Sequence, residues 1–241
     1  MCFWRCEDQL NSCVGQIDEN GLRTTQTSYL AFGEALQSRV LFDGAMARFS
    51  AIEIDDPSGT FAAALAEATG DPSRFAAPLV KRIEALGGIK WLFLTHQDDV
   101  ADHAKWAAHF SCKRVLHSDD VHGSTRDVEL KPTGEAAFEL EPGLSVIPTP
   151  GHTRGSCCLH FKGAAESFLF GGDHIAWSPR RGHLYGFRDA CWHSWPEVVR
   201  SLEKLRAYEF NWVLPGHGRR FHGTKAQARA ALEQGIAWAR S

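Results

Sequence analysis

Four times in this 241-residue chain an apolar run ends and a side chain able to bind a metal follows at once. Residues 91–94 lead into Thr95 and His96, residues 144–150 into Gly151 and His152, residues 168–170 into Gly171, Gly172 and Asp173, and residues 211–214 into Pro215, Gly216 and His217. A lone histidine after a strand is an ordinary loop residue, and a lone Gly-Asp is an ordinary turn. Four such events, three of them preceded by glycine, form a pattern. Strand ends of a layered sheet lie along one edge, where loops build sites. Glycine or proline before the ligand lets the backbone turn sharply and aims the side chain inward. Imidazole with carboxylate is a donor set for zinc, and also for iron or manganese.

Elements must place these residues. Short apolar runs over 28–32, 39–42, 89–95, 114–116, 144–147, 157–161, 168–170 and 211–214 predict strands. Helical spacing predicts helices over 78–86, 100–110, 196–208 and 225–240. Asp98 or Asp99 is the expected N-cap of the helix over 100–110. Gly87 and Gly88 stop the helix before them. Strands and helices alternate, yet some strand pairs look like hairpins, so the expected class is α/β with a mixed sheet. Residues 1–27 read as an N-terminal extension and 28–241 as one domain. Residues 45–74, rich in Ala, Asp, Pro and Gly, read as an insertion too short to bury a core of its own.

Composition narrows the function. Net charge is −3, with 44% apolar and 23% charged residues, which excludes a disordered chain and gives no basic excess for nucleic acid. No run approaches the ~20 apolar residues of a membrane span. Seven cysteines without a C-x-x-C pair predict free thiols in a reducing compartment, cytoplasmic, or plastidic if the N-terminus is incomplete. The chain has no G-x-S-x-G, P-loop or dinucleotide fingerprint, so a metal is the expected source of chemistry and a small molecule the expected partner. Cys157 and Cys158 read as core thiols. Trp177, Trp192 and Trp195 read as core packing, with a pocket wall as the alternative, and Arg219 and Arg220 as solvated charge or an anchor for an anion.

Taken together, Thr95-His96, Pro150-Gly151-His152-Thr153, Gly172-Asp173-His174 and Leu214-Pro215-Gly216-His217-Gly218 resemble the successive motifs of the metallo-β-lactamase-fold hydrolases. Val40-Leu41-Phe42-Asp43-Gly44 resembles that family's early strand ending in a buried Asp. The stretch Thr95-His96 through Asp98-Asp99-Val100-Ala101-Asp102-His103 is similar to a plant and cyanobacterial subgroup. The resemblance runs from about residue 28 to 222. It implies a four-layer αβ/βα sandwich of two mixed sheets flanked by helices, with metal at the sheet edge. It also implies His96, His152, Asp173 and His217 as ligands, with Asp173 bridging if two ions are present. Asp43 and His174 would lie behind the ligands.

One motif departs from the family's usual H-x-H-x-D-H. Here it reads His96-Gln97-Asp98-Asp99-Val100-Ala101-Asp102-His103. Either two residues are deleted and Asp98-Asp99 replace the usual pair, or Asp102-His103 is that pair after a longer loop. If the helix spans 100–110, Asp99 and His103 share one helical face, and both are candidate metal ligands there. His103 is then a ligand or a hydrogen-bonding residue behind one. A carboxylate in place of imidazole shifts preference toward iron or manganese. The implied activity is hydrolysis of an ester, thioester, lactone or amide by metal-activated water, with Asp98 or Asp99 orienting that water. The alternatives are a mononuclear iron enzyme resembling the persulfide dioxygenases, or a non-catalytic metal-binding scaffold.

Overall fold

A computed structural model describes residues 40–42, 75, 77–85, 87–98, 100 and 102–241. The readings of residues 1–27 and 45–74, and of Asp43 and Asp99, lie outside these. The chain divides into two compact units, one of residues 1–93 and 100–114, the other of residues 94–99 and 115–241.

β1 (Val40–Phe42), α1 (Ala77–Ala85), β2 (Trp91–Phe93), α2 (His103–Phe110) and β3 (Lys113–Val115) follow in order, all within the first unit except Val115. The strands form a sheet β1-β2-β3, with Val40 opposite Trp91 in a parallel pair. Helix α1 ends where Gly87 and Gly88 donate back to the Glu84 and Ile83 carbonyls, the glycine stop the sequence predicts. Helix α2 corrects an expectation. It begins at His103, not at residue 100, and its N-cap position is Asp102. Asp98 therefore does not cap it. Asp102 makes no side-chain capping bond either; its carboxylate accepts the Phe75 N–H at 2.9 Å and pairs with Lys105.

The second unit holds β4 (Phe138–Glu141), β5 (Leu144–Pro148), β6 (Cys157–Lys162), β7 (Ser167–Gly172), β8 (Ala176–Ser178), β9 (His183–Tyr185), α3 (Trp195–Lys204), β10 (Trp212–Pro215), β11 (Phe221–His222) and α4 (Lys225–Arg240). Its six-stranded sheet has the order β11-β10-β7-β6-β5-β4, and β8 with β9 forms a hairpin. Only β7 and β10 are parallel, so the sheet is mixed as expected.

Strand alternation sorts this sheet into two faces. Ile147, Cys158, Leu169 and Val213 join the core cluster built with α3 and α4, through Val198, Leu202, Ala231, Leu232 and Ile236. Val146, Leu159, Phe170 and Leu214 occupy the opposite face and are also buried. Burial on both faces explains why these strands read as continuous apolar runs. Each such side chain contributes about 1.5–3 kcal/mol. Helix α4 starts at a capping box: Thr224 Oγ1 accepts the Gln227 N–H while Gln227 Oε1 accepts the Thr224 N–H, worth about 1 kcal/mol. No helix among the described residues is long and apolar enough to cross a membrane.

Burial decides the chemistry of the adjacent thiols. Cys157 and Cys158 are buried in β6, and burial pushes the Cys158 thiol up to about 12 and the Cys157 thiol well above its ordinary value. Thiolate is the reactive form. In native protein at pH 8 the peptide carrying both should stay unmodified by iodoacetamide, and become alkylated in denaturant. Mass-spectrometric mapping checks this; native alkylation would contradict the burial.

Candidate metal centre

Strand direction brings the site together. Strand β6 is antiparallel to both β5 and β7, and β10 is parallel to β7. Strands β5, β7 and β10 therefore run the same way and end at one edge of the sheet. His152, Asp173 and His217 follow those three ends. His96 arrives on residues 94–98, which are tied to the same edge by the Cys157 N–H donating to the Thr95 carbonyl at 2.8 Å.

The side chains meet at Asp173. Its Oδ2 lies 3.7 Å from His96 Nε2, 3.7 Å from His152 Nε2 and 3.5 Å from His217 Nε2. Asp98 Oδ2 lies 3.4 Å from His152 Nε2 and 3.9 Å from His96 Nε2. His96, Asp98 and His152 form a compact group able to hold an ion. These separations exceed the ~2.7–3.2 Å of a hydrogen bond. They sit close to the ~3.3–3.6 Å between donors of a tetrahedral ion with bonds of about 2.0–2.2 Å.

Protonation adds a sharper constraint. His152 Nδ1 lies 2.6 Å from the Ala190 carbonyl. A carbonyl only accepts, so Nδ1 carries the proton and the neutral ring has its lone pair on Nε2. That buried Nε2 has no hydrogen-bond partner among the described residues, and it faces two carboxylates. A cation must lie between that nitrogen and the anionic oxygens, a proton on Nε2 or a metal ion, and separations of 3.4 and 3.7 Å, longer than a hydrogen bond, suit the metal. This donor set fits a divalent metal, and a backbone carbonyl fixing the ligand's tautomer is the usual support for a metal-binding histidine.

Backbone anchoring holds the ring in place. The Trp192 and His193 N–H groups both donate to the His152 carbonyl, and the Ser194 N–H donates to that of Gly151. Ser194 is in turn the N-cap of α3. The sequence reading did not find this strap of residues 190–194; a Cys-Trp-His-Ser run has no motif to betray it. It separates the tryptophans: Trp177 and Trp195 pack against the core, while Trp192 is 68% exposed, its ring 6.3 Å from that of His152. Gly216 is required by close approach, because a Cβ there would strike the Asp173 carboxylate.

Asp98 is half exposed beside the buried His96 and His152. His103 is buried in the first unit, where its Nδ1 lies 3.2 Å from Arg114 Nη1. His174 is buried, and neither ring nitrogen has a hydrogen-bond partner among the described residues.

No family model matches the chain. Uncharacterized protein YmaE of Bacillus subtilis (strain 168) is 25% identical over 143 residues, or 55% of this chain; the match spans half the length of that protein. Among solved structures, the DIM-1 metallo-β-lactamase exposed to ceftazidime is similar with a TM-score of 0.50 and 21% identity, over 67% of this chain and 73% of that one. ETHE1 from Myxococcus xanthus gives 0.47 and 15%, over 67% and 74%. The BLEG-1 B3 metallo-β-lactamase gives 0.45 and 23%, over 60% and 78%. The likeness to DIM-1 establishes a metallo-β-lactamase-like fold, the class the motifs predict.

Burial pushes the His174 ring down to about 3. Unfolded, the ring takes up a proton near its ordinary value of about 6.5. Between about pH 6.5 and 3 the unfolded chain therefore binds a proton that the folded chain refuses, and stability falls with pH. The slope is at most about 1.4 kcal/mol per pH unit. In metal-stripped protein, His174→Leu should flatten the acid limb of stability measured by denaturant titration. An unchanged limb would contradict a neutral buried ring.

Proposed function

We propose that this chain is a metal-dependent hydrolase acting on an ester, thioester, lactone or amide bond of a small-molecule substrate. The observation that carries this reading is the meeting of three imidazole Nε2 atoms at one carboxylate oxygen of Asp173, with the His152 lone pair fixed toward it. The fold supports it, since DIM-1 is a metallo-β-lactamase. His96, His152, Asp173 and His217 would hold the metal, zinc first by donor set and iron or manganese next, as one ion or as two sharing Asp173. A bound divalent ion supplies a Lewis acid and lowers the pKa of water toward neutrality.

The chain's own residues do the rest. His152 is held in one tautomer by the Ala190 carbonyl, so it neither rotates nor yields its Nδ1 proton. Asp98 is the half-exposed carboxylate beside two ligand nitrogens, placed to accept a proton from an incoming water and pass it outward. Exposed Trp192 offers an apolar surface at the same place. The first-motif resemblance to the plant and cyanobacterial subgroup, through Asp98, Asp99 and His103, belongs to this reading. So do an intracellular setting and a substrate that is neither nucleic acid nor membrane. The set of two imidazoles and one carboxylate, His96, His152 and Asp173, favours a second reading: a mononuclear iron enzyme of the persulfide dioxygenase kind.

Protein purified without added metal should carry zinc and hydrolyse members of a chromogenic ester, thioester and lactone panel. His152→Ala and His217→Ala should lose metal and hydrolysis together. Metal affinity should weaken below about pH 6, because imidazole must be neutral to ligate. Full metal content in both variants, or affinity flat from pH 7.5 to 5, would sink the assignment. Iron with oxygen uptake would favour the second reading.

A further inference from the structure

The 3₁₀ turn Ser118–Asp120 lies beyond β3. It is pinned by the Leu116 and Ser118 N–H groups donating to the Leu130 and Pro132 carbonyls. Asp120 is 1% exposed. Its Oδ2 accepts the Gln97 N–H at 3.0 Å and the Thr153 hydroxyl at 2.5 Å, while its Oδ1 accepts the Gly155 N–H at 2.7 Å. Gly155 packs flush against it, leaving no room for a Cβ. Gln97 directly follows His96, and Thr153 directly follows His152. One buried carboxylate thus grips both loops that carry those histidines, from positions 23 and 33 residues away.

The hydrogen-bond directions are fixed. A carboxylate accepts, so Thr153 donates to Asp120. Ser156 Oγ accepts the Thr153 N–H at 2.9 Å and lies 2.7 Å from Thr153 Oγ1, so its own proton goes to Thr153. The relay runs from Ser156 through Thr153 to Asp120. Metal affinity depends on groups that orient the ligands, commonly by 10–100-fold.

The geometry points to Asp120 as the positioning residue that sets the separation of His96 and His152, and through it the affinity and coordination geometry for a divalent metal. This rests on the metal-site reading above. Asparagine is the informative substitution. It keeps the size but offers one acceptor oxygen and one N–H₂ group. Whichever way the amide turns, either the Gln97 N–H or the Gly155 N–H faces a donor and is orphaned.

The test uses the full chain with zinc, by chelator competition, and with cobalt, by its visible absorption, which reports coordination geometry. Asp120→Asn should weaken zinc binding about 10–100-fold and alter the cobalt spectrum. Thr153→Val should do the same more mildly, and Thr153→Ser, which keeps the hydroxyl, should restore both. Ile236→Ala, which removes core packing under α4, should lower the thermal midpoint yet keep zinc affinity and spectrum. If Asp120→Asn fails to fold, the two Thr153 variants decide. Wild-type affinity and spectrum in Asp120→Asn, or in Thr153→Val, would overturn the inference. So would an equal loss of affinity in Ile236→Ala. Those outcomes, with zinc bound by the wild type, fail this inference alone. A wild type that takes up neither ion overturns the metal-site reading, and this inference with it.

Discussion

The buried Nε2 of His152, facing two carboxylates, is the constraint around which the candidate site is built. The Ala190 carbonyl forces the proton of His152 onto Nδ1 and leaves Nε2 facing Asp98 and Asp173 at 3.4 and 3.7 Å. Burying a charge or a polar group without compensation costs several kcal/mol. A divalent cation relieves the repulsion among these groups and is drawn by every one of them. Contacts with the rest of the second unit hold these donors in place, and such preorganisation keeps binding from being offset by rearrangement.

That preorganisation is distributed over elements that do no chemistry. Parallel running of β5, β7 and β10 delivers three donors to one edge. The strap of residues 190–194 holds the His152 backbone from one side and the Asp120 carboxylate holds its loop from another. Gly216 lets the β10 loop close onto Asp173. The core under α3 and α4 stabilises the sheet on which these loops are mounted.

The strand-then-ligand pattern was legible because it has a local cause: a buried strand must be apolar, and the chain must turn at its end. The C-terminal helix over 225–240 was equally legible, since its capping box and apolar stripe are both written locally. What the sequence hid is non-local. Strand β4 (Phe-Glu-Leu-Glu) is short and, as the last strand of its sheet, only partly buried, so no continuous apolar run marks it. The β8–β9 hairpin lies in a Trp-, Arg- and Gly-rich stretch with no alternation to mark it. The start of α2 was misplaced because Asp98, Asp99 and Asp102 offer the same capping chemistry to the eye. Asp120 was missed because Ser118-Asp119-Asp120 after a short strand reads as a solvated turn. Only the fold reveals that its carboxylate is enclosed by Gln97, Thr153 and Gly155.

The most direct measurement is anomalous scattering at the zinc absorption edge from crystals of the protein grown with zinc. The predicted result is a strong peak about 2.0–2.2 Å from His96 Nε2, His152 Nε2 and an Asp173 carboxylate oxygen. A peak at other side chains, with these three still clustered around empty space or solvent, would contradict a metal centre at Asp173.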